Sequence, residues 1–410
     1  MKKLRSNVAE IARTRSTKAA TESLESNWSR VIRRRKFLQG LAVTGAGVPA
    51  TTMFAASSKK LNKGDAALLQ FALTAELIEM DLWDQYRELG GAVDQNDNPN
   101  PGNPAYMAAL QNLDGDMPQY ISDNADDEVS HAAFLTNYLK SKGETPIDLS
   151  GFANLQGSQA TGANKGAGRL TNLLSVNVDT SWYFRYRSTQ NPDLGATFPQ
   201  LIAITGQPTI PLNDNDTNPN TIVAIPPAAP GPNRMQAIAN SAGFHFSNIE
   251  QGGSSLYPIL ALKARSREVL RILLSIGGVE IDHFGLWHDK GGNAIAQPLA
   301  GISDPETGLT FPDFNNPANQ HNSNLSPADQ AAGSQMFQTN LILFEPVQFL
   351  DPSLGPVSIV RPTLDQNGGA VAAINGFFAQ NLFQHQPSAL QTLLLQVARE
   401  ADAVEFNGEG

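Results

Sequence analysis

The sequence predicts an all-α protein built as an antiparallel four-helix bundle, and three observations predict it. The first is a repeated pair, Glu128-x-x-His131 and Glu280-x-x-His283, whose i, i+3 spacing puts both side chains on one helix face. The second is a lone glutamate upstream of each pair, Glu76 before the first and Glu250 before the second. The third is where the helices can fold back. Midway between Glu76 and Glu128 lies the helix breaker Asn98-Pro99-Asn100-Pro101-Gly102-Asn103-Pro104, and midway between Glu250 and Glu280 lies Arg265, shortly after Pro258. Helices joined near those points bring each lone glutamate level with its pair. Two such hairpins facing each other gather four carboxylates and two imidazoles. One Glu from each of two helices and Glu-x-x-His from each of the others is the ligand set of a dinuclear iron or manganese carboxylate centre.

In chain order, residues 1–36 come first, with eleven Lys/Arg against three Asp/Glu, a balance of +8. Arg33-Arg34-Arg35-Lys36-Phe37-Leu38-Gln39 then leads into an apolar, small-residue run from Leu38 to Ala56. This resembles a twin-arginine export signal: the pair Arg34-Arg35, one spacer, then Phe-Leu, with Arg33 where Ser or Thr is usual. The run is too short and too rich in Gly, Thr and Pro49 for a stable membrane span, and Ala55-Ala56-Ser57 offers small residues for cleavage. The plainer alternative is a basic tail followed by a short core helix. On the export reading, residues 1–57 are a signal region, the twin-arginine machinery is a partner, and the protein is periplasmic or extracellular.

Helix A is expected from about Asp65 to Leu89. Leu69, Ala72, Leu73, Met80 and Trp83 surround Glu76 at helical spacing, so Glu76 sits in the core-facing stripe. An unpaired carboxylate there would be costly and calls for a partner. Glu79, one turn on, is the rival for that role, whereas Asp81 and Asp84 read as ordinary solvated residues. A short helix near Tyr106–Leu113 precedes helix B, about Met117 to Lys142, which ends at Gly143. Glu128 and His131 share their face with Ile121, Ala125, Ala132 and Leu135, and Asp126 and Asp127 beside them are solvated or support the site. Residues 144–234 are the least regular part: Leu170–Arg187 is a strand or a short helix, and Asn191–Asn233 reads as extended loop.

Helix C begins near Arg234 and carries Glu250-Gln251-Gly252-Gly253, with Tyr257 two turns after Glu250 on the same side. Paired glycines weaken a helix by roughly 1 kcal/mol each, which points to a close contact or to space for a bound group. Helix D runs from about Ser266 to His288, and Glu280 shares its face with Leu273, Ile276, Phe284 and Trp287, again next to glycines, Gly277 and Gly278. Residues 291–410 read as a C-terminal extension on the bundle of residues 64–290, with helices at Ser326–Thr339, Ala370–Asn381 and Ser388–Val404.

The absence of cysteine removes disulfides, thiolate metal sites, iron–sulfur clusters and cysteine nucleophiles. Any metal must then be held by carboxylate, imidazole, backbone or water, which suits iron, manganese or zinc. Beyond residue 36 the chain carries 18 basic and 36 acidic residues, a balance of −18, against nucleic-acid or anionic-membrane partners and in favour of cations. His245, His288, His321 and His385 have no matching spacing. His245 and His288 are candidates for supporting the metal ligands from behind, or simply satisfied histidines.

The segments Leu69–Glu79, Asp127–His131, Ile249–Gly253 with Tyr257, and Gly278–His283 resemble the ferritin-like domain of desiccation-related, twin-arginine-tagged proteins. The Glu250…Gly253…Tyr257 arrangement is a specific part of that likeness, and Arg361-Pro362 with Gly369–Ile374 and Leu382-Phe383 resembles the family's tail. The resemblance covers residues 65–143, 235–290 and part of 355–405. It implies that Glu76, Glu128, His131, Glu250, Glu280 and His283 ligate two iron or manganese ions. Redox chemistry on dioxygen, peroxide or Fe(II) is the expected function, and a metal-binding or desiccation-protective structural protein of the cell envelope is the alternative. Simple iron sequestration fits less well, because the long insertion and tail argue against a compact cage, although a homo-oligomer is compatible with either reading.

Overall fold

Three of the four long helices start where a short polar side chain accepts a free backbone N–H. Asn62 caps α1 (Lys63–Gly90), Asn233 caps α4 (Arg234–Lys263) and Ser266 caps α5 (Arg267–Gly292). The short α2 (Pro104–Gln111) is capped by Asn103, and α3 (Met117–Ser141) instead places Pro118 in its first turn, where no N–H is needed. The computed structural model describes residues 60–185, 200–216, 229–313, 345–346, 351–357 and 368–405. All but Gln95–Asn98 of these lie in one compact unit made of Ser58–Asp94 and Pro99–Gly410. The signal region and the helix expected at 326–339 fall outside the described residues. No described helix is long and apolar enough to cross a membrane.

The protein is mostly helical, consistent with the all-α class. Helix α1 runs antiparallel to α3, since Arg87 reaches Asp126 while Glu76 lies opposite His131. Helix α4 runs antiparallel to α5, with Ser247 Oγ donating to Trp287 O at one level and Gly277 against Tyr257 at another. The two hairpins meet in the same antiparallel sense. Trp83 and Tyr86 of α1 contact Glu250 and His245 of α4, and Asn124 and Lys142 of α3 contact Trp287 and Glu268 of α5. At one end α4 and α5 nearly touch backbone to backbone. A Cβ on Gly291 would lie 2.4 Å from Gly243 O and 2.7 Å from Ser247 Oγ, so only glycine allows this approach.

The C-terminal helices α6 (Ala370–Ala379) and α7 (Ser388–Asp402) pack on each other, α7 on α1 and α6 on α4. Leu390, Leu394, Ala398 and Ala401 form the buried stripe of α7. Gly369 gives α6 no side-chain cap, and Asp402 supplies one from α7 by accepting from Ala370 N and Val371 N, both at 2.8 Å.

The insertion is more structured than expected. Within the stretch expected as strand or short helix, the described residues 170–185 hold both in succession: Val176–Val178 pairs antiparallel with Ile204–Gln207, and Trp182–Arg185 forms a helical turn. Its anchor corrects the reading of Asp81 as a solvated residue. Asp81 accepts from Leu170 N at 3.0 Å, Thr171 N at 2.8 Å and Thr171 Oγ1 at 2.6 Å. Asp84 is likewise paired, 2.6 Å from Arg87 and 3.7 Å from Arg169. The insertion covers the outer face of α1 at Asp81 rather than leaving it to water, while Asp84 stays part-exposed. Tyr86 and Tyr106 extend the same attachment by donating to Thr209 Oγ1 and Thr209 O, each at 2.7 Å.

Candidate metal centre

The six residues named by spacing meet in the middle of the four long helices. Glu76, Glu128, Glu250 and Glu280 are fully buried, and His131 and His283 nearly so. They form two groups able to hold an ion, Glu76, Glu128, His131 and Glu280 in one, and Glu128, Glu250, Glu280 and His283 in the other. Glu128 and Glu280 belong to both. His131 Nδ1 lies 3.2 Å from Glu76 Oε2, 3.4 Å from Glu128 Oε2 and 3.5 Å from Glu280 Oε1. His283 Nδ1 lies 3.3 Å from both Glu128 Oε1 and Glu250 Oε2. Ligand atoms held roughly 2.0–2.2 Å from one ion, at octahedral to tetrahedral angles, lie about 3.0–3.5 Å apart.

The donor atoms are also left without other partners. Glu76 Oε2, Glu128 Oε2, Glu250 Oε2, both oxygens of Glu280, and Nδ1 of His131 and of His283 are buried with no hydrogen bond among the described residues. Each such orphan costs about 1–3 kcal/mol, and more if charged. A core with so many of them needs a compensating cation. Four carboxylates with two neutral imidazoles carry a charge that two divalent ions cancel and one does not.

The remaining atoms of the cluster are held in a crossed pattern. Seven residues after Glu76, Trp83 Nε1 donates to Glu250 Oε1 at 2.9 Å; seven after Glu250, the Tyr257 hydroxyl donates to Glu76 Oε1. Each lone glutamate is thus oriented by the other hairpin. Asn124 Nδ2 donates to Glu128 Oε1 at 2.8 Å and to Glu250 Oε1 at 3.3 Å, and Trp287 Nε1 fixes Asn124 by donating to its Oδ1 at 2.6 Å. Trp83 and Trp287 read in the sequence only as stripe residues, because an indole N–H leaves no mark in a hydrophobic pattern, and Asn124 is not singled out there at all. Asp127 does support the site. It lies 3.1 Å from His283 Nε2, which leaves Nδ1 as the atom facing the carboxylates.

Without a cation the cluster must hold protons. Burial pushes Glu76 up to about 7, and burial followed by the neighbouring carboxylates pushes Glu280 and Glu79 well above the usual range. Burial acts the same way on Glu128, but the two imidazoles outweigh it and hold it low. His131 resists the opposite effect of burial and rises to about 11 through Glu128 and Glu76, and His283 rises through Glu250 and Asp127. Glu79, the rival to Glu76, is buried beside the cluster but belongs to neither group found among the described residues.

The other histidines stand apart. His245 is buried, with Nδ1 2.6 Å from the Tyr86 hydroxyl, and burial lowers it to about 3. His288 is buried against Trp182 and Phe284, and His385 is exposed at a turn of positive φ. His321 lies outside the described residues.

The glycines near the cluster have separate reasons. Gly252 and Gly278 face open space, and Gly277 makes room for Tyr257. A Cβ on Gly253 would lie 2.4 Å from Glu280 Oε2 and 3.2 Å from its Cδ. Gly253→Ala should therefore displace Glu280 while slightly favouring the helix. Metal affinity, read by competition with a chelator, is expected to fall about ten- to hundredfold, with the metal-free melting temperature unchanged or higher. An unchanged affinity would place the Glu280 carboxylate elsewhere.

Residues 64–172 match the family model of the ferritin-like domain. The match spans α1 to α3 and continues into the insertion as far as the Asp81 anchor, beyond the stretch where the resemblance stops at residue 143. Comparison with curated proteins finds no match, and none is found among solved structures.

Proposed function

We propose that this chain is a ferritin-like antiparallel four-helix bundle that holds two iron or manganese ions and uses them for redox chemistry on dioxygen, peroxide or Fe(II). The observation that carries it is the convergence of unpartnered, buried donor atoms from all four long helices, with Glu128 and Glu280 common to both groups. The all-oxygen and nitrogen donor set suits either metal. When bound, such ions supply Lewis acidity and one-electron redox steps. Glu128 and Glu280, common to both groups, would help hold both ions and offset their mutual repulsion. Tyr257 and Trp83 hold Glu76 and Glu250 in place, Asp127 fixes the His283 tautomer, and the stacked Trp83 and Trp287 rings, 5.3 Å apart, close one side of the cluster to water.

Elemental analysis of the purified protein tests this. About two iron or manganese ions per chain are expected, and the loaded protein should turn over peroxide or oxidise Fe(II). Metal at that ratio without turnover favours the metal-binding, protective role at the cell envelope. Absence of metal after loading under reducing conditions sinks both.

The export route is proposed from Arg34-Arg35 and the apolar run that follows. Replacing both arginines by lysine should abolish accumulation outside the cytoplasm, measured by fractionation of producing cells, since lysine keeps the charge but not the planar guanidinium.

A further inference from the structure

The two halves of the cluster differ in what lies beyond their histidines. His283 Nε2 is engaged by Asp127, the residue before Glu128. The corresponding residue before Glu280 is Val279, which offers His131 no such partner. The Trp83, Trp287 and Phe246 rings stack against the Glu250 side. On the other side His131 lines a groove of ≈ 750 Å³ between α3 and α5, and it is the one member of the six that does so.

The groove has an apolar wall of Phe134, Tyr138, Ile272 and Ile276, with Phe134 48% exposed. Arg267 and Arg271 stand along it, both exposed, and neither forms an ion pair among the described residues. Its single carboxylate, Glu268, is already taken by Lys142, with Nζ–Oε distances of 3.0 and 3.1 Å. Two unpaired guanidiniums beside exposed aromatic and aliphatic surface are a local reversal in a chain that is acidic beyond residue 36. Such a surface repels metal cations and complements a carboxylate on an apolar body. Along α5 about 7 Å separates Arg271 from Ile276, which lies at the His131 end.

We infer that this groove binds a small organic carboxylate, its head on Arg267 and Arg271 and its alkyl or aryl body directed toward His131, as a substrate of the centre. Its role as substrate rests on the dinuclear reading; the anion site itself stands on the groove.

Calorimetric titration with octanoate, octanol and octyltrimethylammonium tests the site, using the full chain and an Arg267→Gln/Arg271→Gln variant. Octanoate should bind at least about tenfold more tightly than the other two, a charge-assisted preference. The variant should lose that preference while keeping its metal content. Equal binding of the three probes, or an unchanged preference in the variant, overturns the site. In the manganese-loaded protein the methyl protons of bound octanoate should broaden more than those next to its carboxylate, and equal or reversed broadening overturns the proposed orientation and substrate role. Octanoate preference in a chain that takes up no metal would sink the dinuclear reading and leave the anion site standing. Two metals per chain with no preference would do the reverse.

Discussion

Replacing Glu128 and Glu280 together by alanine should take the chain from about two bound metal ions to none. Each of these carboxylates belongs to both groups, so their loss removes two of four candidate ligands from each. Glu76→Ala and Glu250→Ala remove one ligand from one group only, and each should leave one ion tightly held. Metal binding at a thousandfold excess over Kd adds about 4 kcal/mol of stability, so the wild-type melting temperature should rise on loading and that of the double variant should not. The metal-free proteins are expected to rank the other way. Glu280 is buried with both oxygens unpartnered and its carboxyl pushed well up by burial and by Glu128. Glu280→Gln puts a permanently neutral side chain of nearly the same volume in its place, so the metal-free variant should be at least as stable as metal-free wild type. A double variant that keeps its metal would place the ions elsewhere in the molecule.

Metal-free protein should lose stability as pH rises from about 5 to 8, with loaded protein behaving oppositely. Glu76 stands at about 7 in the folded state against an ordinary value of 4.5. Its protonated form is favoured by folding, so its contribution is full below the ordinary value and is lost as pH climbs through about 7. By linkage this one group is worth about 3 kcal/mol. His131, raised to about 11, acts in the same direction, its stabilisation present below the ordinary histidine range and lost as pH climbs through that value. Glu280 and Glu79, raised by burial, add to the trend. Within the cluster Glu128 runs the other way. It is held low by the two imidazoles, so its contribution disappears on the acid side, and the metal-free maximum should be weakly acidic. A bound cation displaces these protons, so affinity rises with pH and reverses the slope. Denaturant titrations at four pH values, with chelator and with metal, check both arms. A flat or rising metal-free curve would overturn the protonated cluster.

By itself the sequence determined the helical class, the four long helices to within a few residues, and five of the six residues that meet, with Glu76 or Glu79 as the sixth. Those features depend on neighbours one or two turns away. The i, i+3 pairs and the apolar stripe around Glu76 are legible without any partner segment. What only the tertiary structure decided involves chain far away. Asp81 looks solvated until Leu170 and Thr171 are laid across it. Glu76 and Glu79 are both buried on α1, and only the positions of α3, α4 and α5 decide which one joins the donor atoms. Gly253 shares a helix face with Glu250 where Gly252 does not, but only the packing shows that a side chain on Gly253 would strike Glu280 and one on Gly252 would meet nothing. Trp83 and Trp287 count as apolar residues until their N–H groups find Glu250 and Asn124 across a helix interface. Local periodicity says which face a residue occupies, and the packing of distant segments says what waits there.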